Sequence, residues 1–316
     1  MGRIATTALV LALLLGAAVA FAVSERLKLE HAPITGTHVD KVFSPVCGCA
    51  KRRATIAFRL RKRGRIELSM IDAEGHEVRR LVDGRLLAAG RHHFTWNGRD
   101  DAGLIVAEGA YRPKVVLESA HRTIVLPNPI RVDTTRPRIA LVSLEPRAIS
   151  PDGDGRSDLV RVRYRVSEKA HGLLFVDGKR RVRGRRQRLR DELDWFGKVD
   201  GTALVSGRHR LELAAEDLGG NASARVPVGI VQIRYVEIAR PVLRAAAGER
   251  VAVPVSADAR TVLFALRKGA RVVARGFGPP SSLRVTAPKR PGRYVLLVEA
   301  AGHTARAVLV VMKSRR

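Results

Sequence analysis

Three aspartates in one short glycine-rich segment are the residues of this chain best suited to hold a metal ion. Residues 152–158 read DGDGRSD. Three carboxylates that converge from one loop offer the oxygen ligands that calcium prefers, although the spacing is not that of an EF-hand. We therefore expect either a calcium site formed by Asp152, Asp154 and Asp158, or an Asx-type turn in which these carboxylates accept backbone amides. No other cofactor is expected.

The chain has two cysteines, Cys47 and Cys49. They lack the second pair that a structural zinc site needs. An intrachain disulfide between them is one interpretation, and two free thiols or pairing with another chain are the alternatives.

The densest charge on the chain is a basic run in its middle. The run contains eight cationic residues: Lys179, Arg180, Arg181, Arg183, Arg185, Arg186, Arg188 and Arg190. With a net charge of +28, this run indicates either a solvated hairpin face or a binding surface for an anionic partner. We do not expect nucleic acid as a partner, because no aromatic side chain interrupts the run to stack on bases.

Motifs for catalysis are missing from the sequence. It contains no nucleophile elbow, no zinc-protease helix motif, no phosphate-binding loop and no dinucleotide-binding glycine pattern. His92 and His93 are neighbours on a predicted strand, so their side chains point to opposite faces and cannot easily share a metal ion. The sequence predicts a protein that is not an enzyme and has no catalytic residues.

The N-terminal segment predicts a membrane helix. Residues 4–23 carry no charge, which is about the length that spans a bilayer. We therefore expect residues 1–24 to be a single-pass membrane anchor with the C-terminal region outside the cytoplasm. The alternative is a signal segment that is cleaved before secretion. Residues 25–40 then form a juxtamembrane spacer.

Beyond the spacer, the polar and apolar residues alternate with the period of β-strands. Examples are residues 54–60, 66–70 and 161–166, and turn signals such as Asn97-Gly98 separate such runs. The chain also repeats itself: Phe43-Ser44-Pro45 and Trp96-Asn97-Gly98 are matched by Ile149-Ser150-Pro151 and Trp195-Phe196-Gly197. These patterns predict an all-β fold with related β-sandwiches at 41–133 and 134–234 and a third, divergent one at 235–316.

These markers together resemble the FlgD/Vpr-type bacterial immunoglobulin-like domain. The shared features are a Ser-Pro start, an alternating strand, an Asp-x-x-Gly turn, a Trp-x-Gly turn and a Gly-x-Tyr strand start, over residues 42–120 and 148–228. The second copy departs from this pattern at Phe196 and at His209, which stands where the first copy has Tyr111. The resemblance implies tandem immunoglobulin-like sandwiches and a non-catalytic, exported role.

Three functions follow as hypotheses. The first is a membrane-anchored scaffold or adhesion protein that presents its domains to cell-envelope proteins. The second is a basic module that binds an anionic wall polymer or extracellular nucleic acid. The third, implied by the family resemblance alone, is a factor related to flagellar hook assembly.

Overall fold

A computed structural model describes residues 12–21, 32–118 and 121–313. The described part of the chain is dominated by β-strands, so the predicted all-β fold is confirmed. Its apolar side chains form three separate core clusters, one for each sandwich. Strand residues alternate between buried and exposed positions, because successive side chains of a strand point to opposite faces of its sheet.

The predicted single-pass membrane anchor is wrong. A helix of residues 12–21 is described, and ten helical residues span about 15 Å, whereas the hydrocarbon core of a bilayer is about 30 Å thick. Within the described residues, no helix has the length and apolar character needed to cross a membrane. The rest of the predicted anchor, residues 1–11 and 22–24, lies outside the described residues, as does the start of the predicted spacer.

The first sandwich begins earlier than the sequence predicted. Residues 34–39 belong to the predicted spacer, but they form a strand that pairs with residues 56–60 and contributes Ile34 and Val39 to the core. The strands of this sandwich are β1 (Ile34–Val39), β2 (Val42–Phe43), β3 (Ala54–Leu60), β4 (Gly64–Ile71), β5 (Glu77–Leu87), β6 (Gly90–Trp96), β7 (Gly109–Leu117), β8 (Arg122–Val125) and β9 (Ile130–Val132). A 3-10 turn covers Ala50–Arg52.

Two sheets form the first sandwich. One has the strand order β1-β3-β6, and the other has the order β2-β9-β7-β4-β5, with β8 also pairing with β7. The strands β3 and β4 are consecutive in sequence but belong to different sheets. Three basic residues, Arg61, Lys62 and Arg63, make the connection between them and are all exposed.

The second sandwich repeats this pairing scheme. Its strands are β10 (Ile139–Glu145), β11 (Ala148–Ile149), β12 (Val160–Val176), β13 (Lys179–Arg183), β14 (Arg188–Trp195), β15 (Lys198–Val199), β16 (Thr202–Ala203), β17 (Gly207–Asp217) and β18 (Val226–Ile233). The long strand β12 takes the place of both β3 and β4. Its first part pairs with β10 and β14, and its last part pairs with β13 and β17.

A buried tryptophan occupies the same position in both sandwiches. Trp96 lies opposite Ala54 in the register of β6 with β3, and Trp195 lies opposite Val160 in the register of β14 with β12. Each indole donates a hydrogen bond to a backbone carbonyl three residues later, at 3.0 Å to Arg99 and 3.1 Å to Lys198. The sequence repeat is therefore a structural repeat as well.

The glycine two residues after each tryptophan packs against the proline of the Ser-Pro segment. Gly98 and Gly197 have φ values of +71° and +62°, which L side chains rarely adopt. A methyl group on Gly98 would lie 3.0 Å from the Pro45 side chain, and one on Gly197 would lie 2.6 Å from that of Pro151. The repeated Ser-Pro and Trp-x-Gly markers therefore contact each other in the folded domain.

The third sandwich has its own core. Its strands are β19 (Val236–Ile238), β20 (Val242–Ala246), β21 (Arg250–Ala252), β22 (Val255–Ala257), β23 (Val262–Lys268), β24 (Arg271–Gly278), β25 (Arg284–Thr286), β26 (Gly292–Ala300) and β27 (His303–Met312), with a 3-10 turn at Pro280–Ser282. A five-stranded sheet with the order β20-β27-β26-β23-β24 packs against the short pairs β21-β25 and β19-β22.

By internal contacts, the chain separates into two compact units, Met1–Thr134 and Thr135–Arg316. The second unit contains the second and third sandwiches. Within it, the buried Tyr235 belongs to the core of the second sandwich, and its hydroxyl donates to the Leu204 carbonyl at 2.8 Å. The Tyr235 ring stacks on His303 of the third sandwich at 3.6 Å between ring centroids, so this tyrosine joins the two domains.

We predict that Gly197→Ala destabilises the second sandwich by more than the backbone strain alone. Strain at positive φ contributes about 1 kcal/mol, and the added methyl group must also displace Pro151. Gly201→Ala is the matched control, because Gly201 has a φ of +81° and open space around it. Calorimetric melting of both variants measures the difference, and equal losses of stability would contradict the contact with Pro151.

Candidate functional site

The three aspartates of residues 152–158 lie together, and the backbone of their own loop uses their oxygens. One carboxylate oxygen from each of Asp152, Asp154 and Asp158 lies within 4.8 Å of the other two. The Asp158 carboxylate accepts the amides of Gly153 and Gly155 at 2.8 and 2.7 Å. Asp152 and Asp154 each accept the amide two residues ahead, at 3.2 and 2.8 Å, which is the Asx-turn arrangement that the sequence offers as the alternative to calcium. Calcium binding stays a prediction.

Cys47 and Cys49 are joined by a disulfide in this structure, with Cα atoms 5.2 Å apart. They belong to the loop that follows Ser44-Pro45. In the second sandwich, the equivalent loop after Ser150-Pro151 contains the three aspartates. The two repeats therefore use different side chains to close the same loop, a disulfide in the first and carboxylate–amide hydrogen bonds in the second.

An aspartate and a histidine form a hydrogen-bonded pair at the turn between β12 and β13. The Nδ1 of His209 donates to the Asp177 carboxylate at 2.8 Å, and the Arg210 amide donates to the other oxygen at 2.9 Å. Burial disfavours the ionised carboxylate, but these hydrogen bonds outweigh it and hold the pKa of Asp177 below its usual value of 3.8. His209 also packs edge-on against Trp195, as Tyr111 packs against Trp96 in the first sandwich.

The predicted basic run lies on two edge strands, β13 and β14, and on the connection between them. Both strands pair with β12, and each is the last strand on its side of that pairing. Two of the eight cations have acidic partners: Arg183 lies 3.0 Å from Glu216, and Arg181 lies 3.9 Å from Asp200. Within the described residues, the other six form no ion pair: Lys179, Arg180, Arg185, Arg186, Arg188 and Arg190.

Charge pairing changes along the outer face of β12 and β14. At one end, Arg161 binds Asp194 through two hydrogen bonds of 2.7 and 2.8 Å, which lower the pKa of that carboxyl. One step along the sheet, Arg163 lies opposite Glu192, with 3.2 Å between Nε and a carboxylate oxygen. These two arginines are neutralised by the strand that faces them.

The next pair in this register consists of two arginines. Arg165 lies opposite Arg190, and both side chains are exposed. Directly opposed residues of an antiparallel pair have Cβ atoms about 5 Å apart, and like charges at that distance are destabilising. Since neither guanidinium has an acidic partner in the described part of the chain, the pair is a site of concentrated positive charge.

The first sandwich has the same pair, which no local sequence pattern indicates. Arg59 lies opposite Arg91 in the register of β3 with β6. Arg91 lies five positions before Trp96 on β6, just as Arg190 lies five positions before Trp195 on β14. Both guanidinium groups are exposed, and the exposed basic connection 61–63 follows Arg59 directly. Aligning the two repeats on their tryptophans would have revealed the equivalence.

Residues 53–121 match the model of the FlgD Ig-like domain family. The first sandwich is therefore an immunoglobulin-like domain of the FlgD type, as its markers predicted. The match covers this domain and not the whole chain. No curated protein sequence matches the chain.

Several solved structures of tandem β-domains are similar to the chain at low identity. Fibronectin(III)-like modules of Clostridium thermocellum CbhA are 18% identical, with 62% of this chain and 92% of theirs covered and a TM-score of 0.35. Titin domains I67–I69 are 13% identical, with 90% and 100% covered and a TM-score of 0.29. The Bacteroides ovatus protein SGBP-B, solved with a mixed-linkage heptasaccharide, is 13% identical, with 88% and 71% covered and a TM-score of 0.25.

We predict that Asp158→Ala lowers the melting temperature of the second sandwich in buffer with a chelator. The substitution removes the acceptor of two backbone amides, at a loss of about 1 kcal/mol. Asp154→Ala is the control, since Asp154 accepts the single amide of Arg156. Millimolar calcium added to the wild type tests the metal site in the same calorimetric experiment, and an unchanged melting temperature would contradict calcium binding.

We predict that Asp177 makes the second sandwich sensitive to acid. Because its pKa is lower in the folded than in the unfolded state, the ionised carboxylate stabilises the fold above about pH 3.8. This contribution is lost as the pH falls through the folded pKa. Asp177→Asn should remove it, changing stability by no more than about 1 kcal/mol because the side chain is half exposed.

Melting curves recorded from neutral to acidic pH measure this effect. Asp200→Asn is the control, since the Asp200 side chain is 91% exposed. If Asp177→Asn loses stability on acidification as steeply as the wild type does, the assignment to Asp177 is wrong.

Proposed function

We propose that this chain is a non-catalytic binding protein whose first two immunoglobulin-like domains bind a linear anionic polymer. Of the functions expected from the sequence, this one has the most direct support in the geometry of the described residues. The observation that carries it is the repeated cross-strand arginine pair, Arg59 with Arg91 and Arg165 with Arg190.

Two opposed arginines that lack acidic partners favour the binding of an anion. The two guanidinium groups repel each other in the isolated domain, and an anion placed between them converts that repulsion into two charge-assisted hydrogen bonds. Arginine suits this role because its planar group donates two parallel hydrogen bonds to one phosphate or carboxylate. The neighbouring pair, Arg163 with Glu192, has this acidic partner within the domain and so does not need one from outside.

More cations surround each pair, as a polymer rather than a single ion would require. Arg185, Arg186 and Arg188 precede Arg190 on the chain and are all exposed. In the first domain, the exposed basic connection 61–63 follows Arg59 directly. A chain of repeating negative charges can contact several of these side chains at once and release the small ions that surround it in solution.

Charge at the edge of a sheet also has a structural use. Charged side chains on an edge strand prevent it from pairing with the edge of another molecule. Arg188 and Arg190 on β14 can serve this purpose. Arg165 cannot, because β12 lies between two neighbouring strands and has no free edge at that position. The opposition of Arg165 and Arg190 therefore supports a binding role beyond edge protection.

Binding of the full chain to long-chain inorganic polyphosphate tests the proposal. We predict that affinity falls steeply with added salt, since each phosphate contact contributes to the salt dependence. Arg165→Gln combined with Arg190→Gln should weaken binding by at least about tenfold through the loss of charge-assisted contacts. Arg59→Gln with Arg91→Gln should do the same.

Arg208→Gln with Arg85→Gln removes the same charge from exposed positions outside the pairs and is the matched control. Equal losses in the control and in the pair variants would mean that only net charge matters. That result would refute the proposed sites.

A further inference from the structure

The outer face of the five-stranded sheet in the third sandwich is apolar as well as basic. Its inner face packs on the core of the domain through Leu243, Leu266, Leu296 and Leu309. The sheet also carries six exposed large apolar side chains: Val242, Leu263, Val273, Phe277, Val295 and Met312. Phe277 is 76% exposed and Leu263 is 55% exposed, and they lie directly opposite each other on β24 and β23.

Register places these side chains in rows that cross the sheet. Val295 lies opposite Val308, and Val308 lies opposite Val242, so three strands contribute one apolar row. Arg267 continues this row on β23. The neighbouring row has Leu297 and Ala265 in its middle, with an arginine on either side. Apolar and cationic side chains therefore share one continuous surface.

The cations of this face have no acidic partners within the described residues. The face presents five exposed arginines: Arg244, Arg267, Arg275, Arg293 and Arg306. Glu299 is the single acidic residue among the outward positions of these five strands. Between Val236 and Lys313, the domain has fourteen lysines and arginines and four acidic residues.

The mixture of apolar and cationic side chains on this face favours one kind of binding partner over others. A second copy would oppose five arginines with the same five arginines, which like-charge repulsion disfavours. A nucleic acid would place its wet phosphate backbone against valines, and the face has one aromatic side chain, Phe277, on which a base could stack. A surface that offers both negative headgroups and an apolar layer just beneath them matches both kinds of side chain.

We propose that this outer face, with Phe277 and Leu263 at one end and arginines between the apolar rows, binds the surface of a membrane that contains anionic phospholipid. The arginines contact the headgroups, and the exposed apolar side chains enter the boundary between headgroups and acyl chains. This contact takes place at the bilayer surface and requires no spanning helix. It is independent of the polymer-binding function, which uses other domains.

A tryptophan introduced at position 277 tests the contact directly. The two native tryptophans, Trp96 and Trp195, are buried, so the indole of full-length Phe277→Trp is the exposed one. Vesicles of equal parts brominated phosphatidylglycerol and phosphatidylcholine should quench its fluorescence and shift its emission to shorter wavelength. Phe196→Trp is the matched control, since Phe196 is 50% exposed on the second sandwich, and its fluorescence should not be quenched. Absence of quenching at position 277 would overturn the proposal.

Charge variants separate this face from the rest of the basic surface. In vesicle sedimentation, Arg267→Gln, Arg275→Gln and Arg293→Gln together should weaken binding roughly a hundredfold, because each cation near an anionic membrane adds to affinity. Arg136→Gln, Arg147→Gln and Arg208→Gln remove equal charge from exposed positions outside this face and outside the arginine pairs, and should change vesicle binding by less than about threefold. Equal losses in the two triple variants would overturn the proposal.

Phe277→Ser with Leu263→Ser tests the apolar contribution. Both side chains are exposed, so the domain should fold, and vesicle affinity should fall by about tenfold or more. Unchanged affinity would mean attraction by charge alone and would overturn the proposed insertion. Equal binding of the wild type to vesicles of pure phosphatidylcholine would mean that the arginines do not recognise negative headgroups and would also refute the proposal.

Discussion

The packing of one buried indole across the two sheets is the interaction on which each repeat depends. Trp96 belongs to the three-stranded sheet of the first sandwich, and its ring lies 5.5 Å from that of Phe43 and 5.1 Å from that of Tyr111, which both belong to the opposite sheet. A tryptophan buries a large apolar area, and removing one from a core costs about 3–5 kcal/mol. Trp195 occupies the same place in the second repeat, with His209 as its aromatic neighbour. The Ser-Pro and Trp-x-Gly markers recur together because, in each repeat, the glycine of one packs against the proline of the other.

Local patterns predicted much of this architecture. Alternation in residues 54–60 and 161–166 is the direct result of one buried and one exposed sheet face, so it identifies strands without any knowledge of their partners. The same local reasoning failed at the N-terminus. There it took an uncharged segment for a membrane span and so assigned Ile34–Val39 to a spacer, although that short strand is ordered by its pairing with β3.

The candidate site was predictable in composition but not in arrangement. The basic run is visible in the sequence, whereas the ion pairs that neutralise Arg181 and Arg183 depend on residues from other strands or loops. Arg59 and Arg91 are thirty-two positions apart, and no periodicity connects them. Their opposition is a matter of strand register, which is set by the packing of whole sheets. The role of Asp158 is likewise not determined by its sequence context, because the same aspartate-rich loop is expected for a carboxylate that accepts backbone amides and for one that binds calcium.

The two repeats differ in how their sheets are joined, and this difference bears on how each domain comes apart. In the first sandwich, the basic connection 61–63 separates β3 from β4, so no single strand continues from one sheet into the other. In the second, β12 runs without a break from Val160 to Val176 and pairs with strands on both sides of the core. A strand shared in this way couples the opening of one sheet to that of the other. The second domain should therefore exchange its amide hydrogens as a single cooperative unit, whereas the first can be cut, circularly permuted or extended at residues 61–63 with both sheets intact.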